Sequence, residues 1–326
     1  MKCTNKRRNT VIALLLSTCM GLVGCGESKY TMAYRIDNDV SSYQLVSTTE
    51  TEVAIPFASG LCVAPSDVSN NGFSLEDVGA AGLFNLKNCE TVYAQSVNEQ
   101  VSPASLTKIM TALVALKYGS PEQVITASEN VTIKESGAQL CGLKPGDKMT
   151  LDQALHILMI YSANDVAVLI AEGVAGSVEA FVDMMNEEAA SIGATNCHFM
   201  NPNGLTQDDH YVTTYDLYLI FQEAMKYDLF NQIIQMTSYS TTYTDSRGAE
   251  KSLEVQTTNL FLRGTYETPA NITVIGGKTG TTNAAGHCLI LLSRSSDGTP
   301  YISVIMKDTS RDVLYADMSS LLELAK

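Results

Sequence analysis

Three short stretches of this 326-residue chain carry side chains that could do chemistry together. The first is PASLTK, residues 103–108, where Ser105 and Lys108 stand three positions apart behind Pro103, a residue suited to opening a helix. At that spacing hydroxyl and amine share one helix face and can meet. A serine becomes a nucleophile when a base takes its proton, and a lysine can be that base once its amine is neutral. The positive end of the helix dipole would favour negative charge on the serine oxygen or on an attacked carbonyl. Composition alone yields such a pair about once in a chain this long. A capping serine beside a solvated lysine therefore explains the stretch as well as catalysis does.

The second stretch is YSAND, residues 161–165, set between the apolar runs LDQALHILMI and VAVLIAE. Ser162 and Asn164 there either cap a helix or line something. The third is GGKTGTT, residues 276–282, directly after the strand-like NITVI. Its glycines, Gly280 among them, let backbone approach a ligand, Lys278 adds positive charge, and Thr279 and Thr281 add hydroxyls. Such a segment could bind a carboxylate and dock a peptide edge-on. It lacks the frame of a phosphate-binding loop. Ser162 follows Ser105 by 57 residues, and Lys278 follows Ser162 by 116.

The elements that must hold these residues can be read from patterning. VGAAGLFNLKNCETVYAQS predicts a hairpin turning at Lys87-Asn88, and NITVIGG, HCLILLS and TPYISVIM predict three more strands, the last two turning at Ser296-Asp297-Gly298. The five segments are expected in one antiparallel sheet built from both ends of the sequence, with mainly helices between. Thr150 with Gln153 forms a capping box ahead of one helix, Ser177 opens a second that Gly193 stops, and a third runs from about Thr214 to Tyr227. VLYADMSSLLELAK predicts a final helix against the sheet. The expected fold is α+β, with an all-α lobe at roughly 120–230 and a cleft where lobe and sheet meet.

The first 24 residues read as an export signal, a basic MKCTNKRRNT followed by an apolar run too short to span a bilayer. Leu22-Val23-Gly24-Cys25 resembles the lipobox of bacterial lipoproteins, which implies cleavage before Cys25 and its acylation. Residues 25–60, rich in Ser and Thr, are expected to tether a domain spanning 61–326 to the membrane. Removal of Lys2, Lys6, Arg7 and Arg8 takes the net charge from −14 to −18, so nucleic acid is excluded as a partner and membrane attachment rests on the lipid. Cys62, Cys89, Cys141, Cys197 and Cys288 lack metal-ligand spacing and are expected as small buried hydrophobes with at most one disulfide. No metal or cofactor is expected.

Ser-x-x-Lys, Ser-x-Asn and Lys-Thr-Gly in this order form the motif set of active-site serine β-lactamases and penicillin-binding proteins, whose middle member is usually Ser-Asp-Asn. From about residue 78 to the end, with NPNGL at 201–205 and KTGTTNAAG, the chain resembles the D-alanyl-D-alanine carboxypeptidases among the low-molecular-weight penicillin-binding proteins. That resemblance implies an antiparallel sheet with helices and a helical lobe. It implies a peptidoglycan stem peptide ending in D-Ala-D-Ala as substrate, Ser105 as nucleophile and Lys108 as base. Ser162 would relay a proton, Asn164 would hold the substrate amide, and Lys278, Thr279, Gly280 and Thr281 would form the carboxylate side. β-Lactams would acylate Ser105, and the enzyme would work on the outer face of the cytoplasmic membrane.

Three rivals remain. A β-lactamase would need a glutamate in an E-x-x-L-N segment, where this chain has CHFMNPNGL. A transpeptidase differs only in accepting an amine in place of water, and a penicillin-sensing lipoprotein would acylate without turnover. Metal and triad hydrolases are excluded by the lack of H-E-x-x-H and G-x-S-x-G. His156, His198, His210 and His287 are expected to be structural or surface residues. Many members of the resembled family continue into a β-domain and a membrane-binding helix, a role the amino-terminal lipid would take here.

Overall fold

The computed structural model describes residues 60–325. The expected signal, Cys25 and nearly all of the tether lie outside the described residues. β1 (Ala80–Asn85) and β2 (Glu90–Gln95) lead into α1 (Thr107–Tyr118). β3 (Val124–Thr126) and β4 (Lys148–Thr150) precede five helices: α2 (Leu151–Ile160), α3 (Asn164–Ala175), α4 (Val178–Ser191), α5 (Thr214–Ala224) and α6 (Asp228–Ile234). β5 (Ser238–Thr244), β6 (Glu250–Gln256), β7 (Ile272–Thr282), β8 (Gly286–Ser295) and β9 (Pro300–Asp308) follow, and α7 (Arg311–Leu322) comes last.

The expected five strands form one antiparallel sheet in the order β2-β1-β9-β8-β7, so the two ends of the described chain meet where β1 pairs with β9. Both faces are covered, which is why these strands read as continuous apolar runs. Along β8, Leu289 and Leu291 pack beneath Leu314, Tyr315 and Met318 of α7, while Cys288, Ile290 and Leu292 face the helical side. α1 runs through the middle of that side and buries every residue from Thr107 to Ala115. An all-round buried helix is a rigid mount for whatever stands at its start.

The capping box at Thr150 and Gln153 is formed, and Ser177 caps α4 through the N–H of Ala180. α5 stops at Ala224, short of Tyr227, because Tyr227 turns extended to begin α6. The span between the sheet's two halves is not only helical: β3-β4-β5-β6 make a second, four-stranded sheet. β3 and β4 are three residues long, and β5 (SYSTTYT) carries hydroxyls where apolar residues would have announced a strand. The five cysteines of the described residues are free thiols.

Candidate active site

Residues 103–108 do not begin as an α-helix. Ala104–Leu106 form a 3₁₀ turn, and the α-helix starts at Thr107. Ala104 sits at φ +47°, a left-handed conformation that costs a non-glycine residue about 1–2 kcal/mol. Its carbonyl accepts the Thr107 hydroxyl at 2.9 Å, and Gly204 lies directly against it: a Cβ there would come within 1.8 Å of Ala104 O. Thr107 Oγ1 also lies 2.9 Å from His210 Nε2, while His210 Nδ1 accepts the Met200 N–H at 3.1 Å. That acceptor role fixes the proton on Nε2. Burial lowers His210 to about 4, so the ring is a neutral strut under the turn.

The turn presents Ser105 Oγ to Lys108 Nζ at 2.9 Å. The amine is fully buried and also donates to Asn164 Oδ1 at 2.8 Å and to the Asn203 carbonyl at 2.5 Å. Among the described residues no carboxylate forms an ion pair with it. Burial pushes its pKa well below the ordinary lysine value, and the charge of Lys278 pushes the same way against a smaller opposing pull from Asp165. A neutral amine with a free lone pair beside a serine hydroxyl is what proton abstraction requires.

Neither Ser162 nor Asn164 caps a helix, since Ala163 is the N-cap of α3 and makes no side-chain cap. Ser162 stands at φ +69° and accepts from Lys278 Nζ at 2.8 Å, while Asn164 turns to Lys108. The Asn164 N–H reaches the Gln139 carbonyl at 2.8 Å. Next to it, the buried Asp165 carboxylate accepts the N–H groups of Cys141, Gly142, Leu143 and Val166 at 2.8–3.2 Å. One acidic side chain thereby ties the 135–143 loop to the Ser162 turn.

GGKTGTT lies inside β7, an edge strand of the five-stranded sheet. Lys278 is buried and donates to Ser162 Oγ and to the Thr279 carbonyl at 2.9 Å; burial lowers its pKa to about 7. Thr279 Oγ1 meets Thr258 Oγ1 at 2.6 Å, and Thr281 Oγ1 lies 3.3 Å from His287 Nδ1. Beside this edge runs a cleft of about 810 Å³ lined by Ser105, Ser162, Asn164, Thr279, Gly280 and Thr281 among others. Lys108 and Lys278 stand behind its wall, so both amines reach the cleft through the hydroxyls they touch.

Residues 77–310 match the D-alanyl-D-alanine carboxypeptidase family. The chain belongs to that family. It is 31% identical to the D-alanyl-D-alanine carboxypeptidase DacF of Bacillus subtilis over 76% of its own length and 61% of the relative's, so it spans under two thirds of that protein. With the D-alanyl-D-alanine carboxypeptidase of Streptomyces sp. strain K15 it shares 26% identity over 75% of this chain and 86% of the other. The crystal structure of the Streptomyces K15 DD-transpeptidase superposes with a TM-score of 0.70 at 26% identity, covering 77% of this chain and 97% of that one. A D-alanyl-D-alanine carboxypeptidase structure from Mycobacterium tuberculosis gives 0.68 at 26% identity over 79% and 95%. The fold is that of the DD-peptidases.

This carboxypeptidase-family site uses groups that the motifs do not name. Asn203 contributes a backbone carbonyl, which has no signature in side-chain type. Asp165 adjoins the Ser162–Asn164 turn, so adjacency was the available signal. Arg263 and Arg311 line the cleft from segments far along the chain. Gly280 matters for its lack of a side chain, because a Cβ there would lie 3.0 Å from Ser105 N and 3.1 Å from Ala104 Cβ. Gly280→Ala is therefore expected to press β7 off the nucleophile turn and slow Ser105 acylation by a fluorescent penicillin about ten-fold, in line with the cost of sub-ångström misplacement. Stopped-flow fluorescence checks this, and a wild-type rate would show the contact to be slack.

Proposed function

We propose that the protein is a serine-type D-alanyl-D-alanine carboxypeptidase that removes the terminal D-alanine of peptidoglycan stem peptides through an acyl-enzyme on Ser105. The observation that carries this is the buried, unpaired Lys108 amine 2.9 Å from Ser105 Oγ. As Ser105 attacks the carbonyl between the two D-alanines, its proton passes to Lys108 and a C–O bond forms. The N–H groups of Ser105 and Thr281 hold the developing oxyanion. Ser162, polarised by Lys278, gives its proton to the leaving amine and takes in its place the proton held on Lys108, so the C–N bond breaks and Lys108 is neutral again. Water then attacks the ester with Lys108 again as base, returning the proton to Ser105.

The peptide adds to the free edge of β7, with Asn164 holding its amide from the other side. Thr279, Gly280 and Thr281 receive the terminal carboxylate, and Lys278 contributes its field through Thr279 and Ser162 without touching the substrate. Arg263 and Arg311 supply the full positive charges at that end of the cleft. β-Lactams enter as carboxylate-bearing acylating agents. The enzyme acts outside the cytoplasm, held to the membrane by lipid on Cys25. A transpeptidase reading is favoured by one specific observation, the DD-transpeptidase designation of the superposed Streptomyces K15 structure.

Incubating the protein, beside Ser105→Ala, with a pentapeptide ending in D-Ala-D-Ala tests the proposal. D-Alanine is expected from the unmodified protein only. Release by neither would sink it, and acyl transfer to an added amine in preference to water would move the reading to transpeptidation.

A further inference from the structure

The end of the cleft that receives the terminal carboxylate is shaped by four elements. β8 sets His287 directly opposite Thr281 of β7 in the antiparallel register, so the two side chains share one face. Thr281 Oγ1 lies 3.3 Å from His287 Nδ1. β9 carries an extra residue where it passes this end of β8: His287 pairs with Asp308 and Leu289 with Ile305, so two residues of β9 stand where β8 has one. Lys307 in this bulge adopts φ +58°, a left-handed conformation that favours glycine. Such a bulge ends strand pairing and re-aims the chain. Here it leads into α7, whose first residue, Arg311, comes close enough for its charge to act on the His287 ring. Thr281, His287 and Arg311 all line the cleft. His287, expected from the sequence to be a structural or surface residue, is therefore part of the carboxylate end.

A threonine hydroxyl has one proton to give, and a carboxylate can only accept. Thr281 can therefore donate to a substrate carboxylate only if its contact with His287 is one in which it accepts. That requires a ring proton on Nδ1. With the ring proton on Nε2 alone, Nδ1 would take the Thr281 proton and leave oxygen lone pairs facing the anion, a repulsive arrangement. We infer that His287 is a positioning residue for substrate recognition: its Nδ1–H donates to Thr281 Oγ1 and so aims the Thr281 hydroxyl proton at the terminal carboxylate. The two hydrogen bonds then run in one direction and polarise each other, which tightens a contact that is loose at 3.3 Å. Arg311 supplies charge at this end of the cleft, and His287 supplies direction. The inference rests on the carboxypeptidase reading and adds to it a residue that acts through Thr281.

The test compares two acyl donors. One is a peptide ending in D-Ala-D-Ala; in the other an S-ethyl thioester replaces the last D-alanine, so that Ser105 is acylated with release of ethanethiol and no terminal carboxylate is present. His287→Phe keeps a ring and removes the donor. It is expected to raise KM for the D-Ala-D-Ala peptide about three- to ten-fold, the worth of one hydrogen bond, with kcat held within about two-fold. Thioester turnover is expected to match the unmodified protein. His287→Asn, whose amide nitrogen can stand near the place of Nδ1 and donate, is expected to recover most of the KM. In a Thr281→Val background, which has no hydroxyl to aim, His287→Phe is expected to change KM no further. An unchanged KM in His287→Phe, an equal loss on both donors, no recovery in His287→Asn or a full additional loss in the Thr281→Val background overturns the inference and leaves the carboxypeptidase in place. Failure of the unmodified protein to release D-alanine overturns both.

Discussion

Lys108→Met stops acylation of Ser105 while the fold stays in place. The methionine side chain follows the course of the lysine stem through the packed start of α1 and removes only the amine. What is lost is the general base, a contribution of about 10²–10⁴ in rate, and with it the hydrogen bond that aims Ser105 Oγ. The Asn203 carbonyl and Asn164 Oδ1 lose a donor, at about 1–3 kcal/mol each, partly offset because no amine has to be desolvated. Lys108→Arg fails equally, since a guanidinium stays charged and cannot take a proton. In the unmodified protein only the neutral amine works, so the acylation rate rises with pH through the depressed Lys108 pKa and levels off above it. Stopped-flow acylation by a penicillin measures all three proteins. A Lys108→Met protein reacting at the wild-type rate would take the base assignment away.

The second large effect couples pH to stability through Lys278. Its pKa falls from 10.5 to about 7 on burial, so between those values the unfolded chain binds a proton that the folded protein does not. Stability then rises with pH, at up to about 1.4 kcal/mol per pH unit for this one group. The contribution is complete above pH 10.5 and is lost as pH falls to about 7. Lys278→Met has no such proton. Urea unfolding at about pH 7 and about pH 9 should show wild type gaining about 2 kcal/mol relative to the variant between the two. A constant difference would mean that Lys278 titrates normally. Activity disappears in the variant, because Ser162 loses its donor and its charge partner.

The three motifs were legible because their chemistry needs particular side chains at particular places. The five-stranded sheet was legible because both its faces are buried, so its strands are apolar runs with clear turns. The second sheet was not, since its strands are short or rich in Ser and Thr and only residues such as Met149 and Val255 point into the core. The start of α1 was misplaced by one turn: Pro103 fits a helix opening, but the left-handed Ala104 is imposed from outside by Gly204 and Thr107, and no local pattern encodes it. Lys278 was expected on the carboxylate side of the site, and motif reading gives residue type and not depth. The structure buries it, with its amine donating to Ser162 Oγ and to the Thr279 carbonyl.

The distances along the chain between the groups around Ser105 have a consequence in time. Lys108 finds its partners Asn164 and Asn203 56 and 95 residues later, and Lys278 comes 116 residues after the Ser162 it serves. During synthesis or export, the serine therefore emerges long before the strand that completes its surroundings. Until β7 arrives, Lys108 lacks the neighbouring cation and the full burial that keep its amine neutral, and the hydroxyl beside it is as inert as any other. Such long-range closures are slow steps of folding. The arrangement around Ser105 is thus a property of the finished chain, assembled from hydrogen-bonded partners up to 116 residues apart.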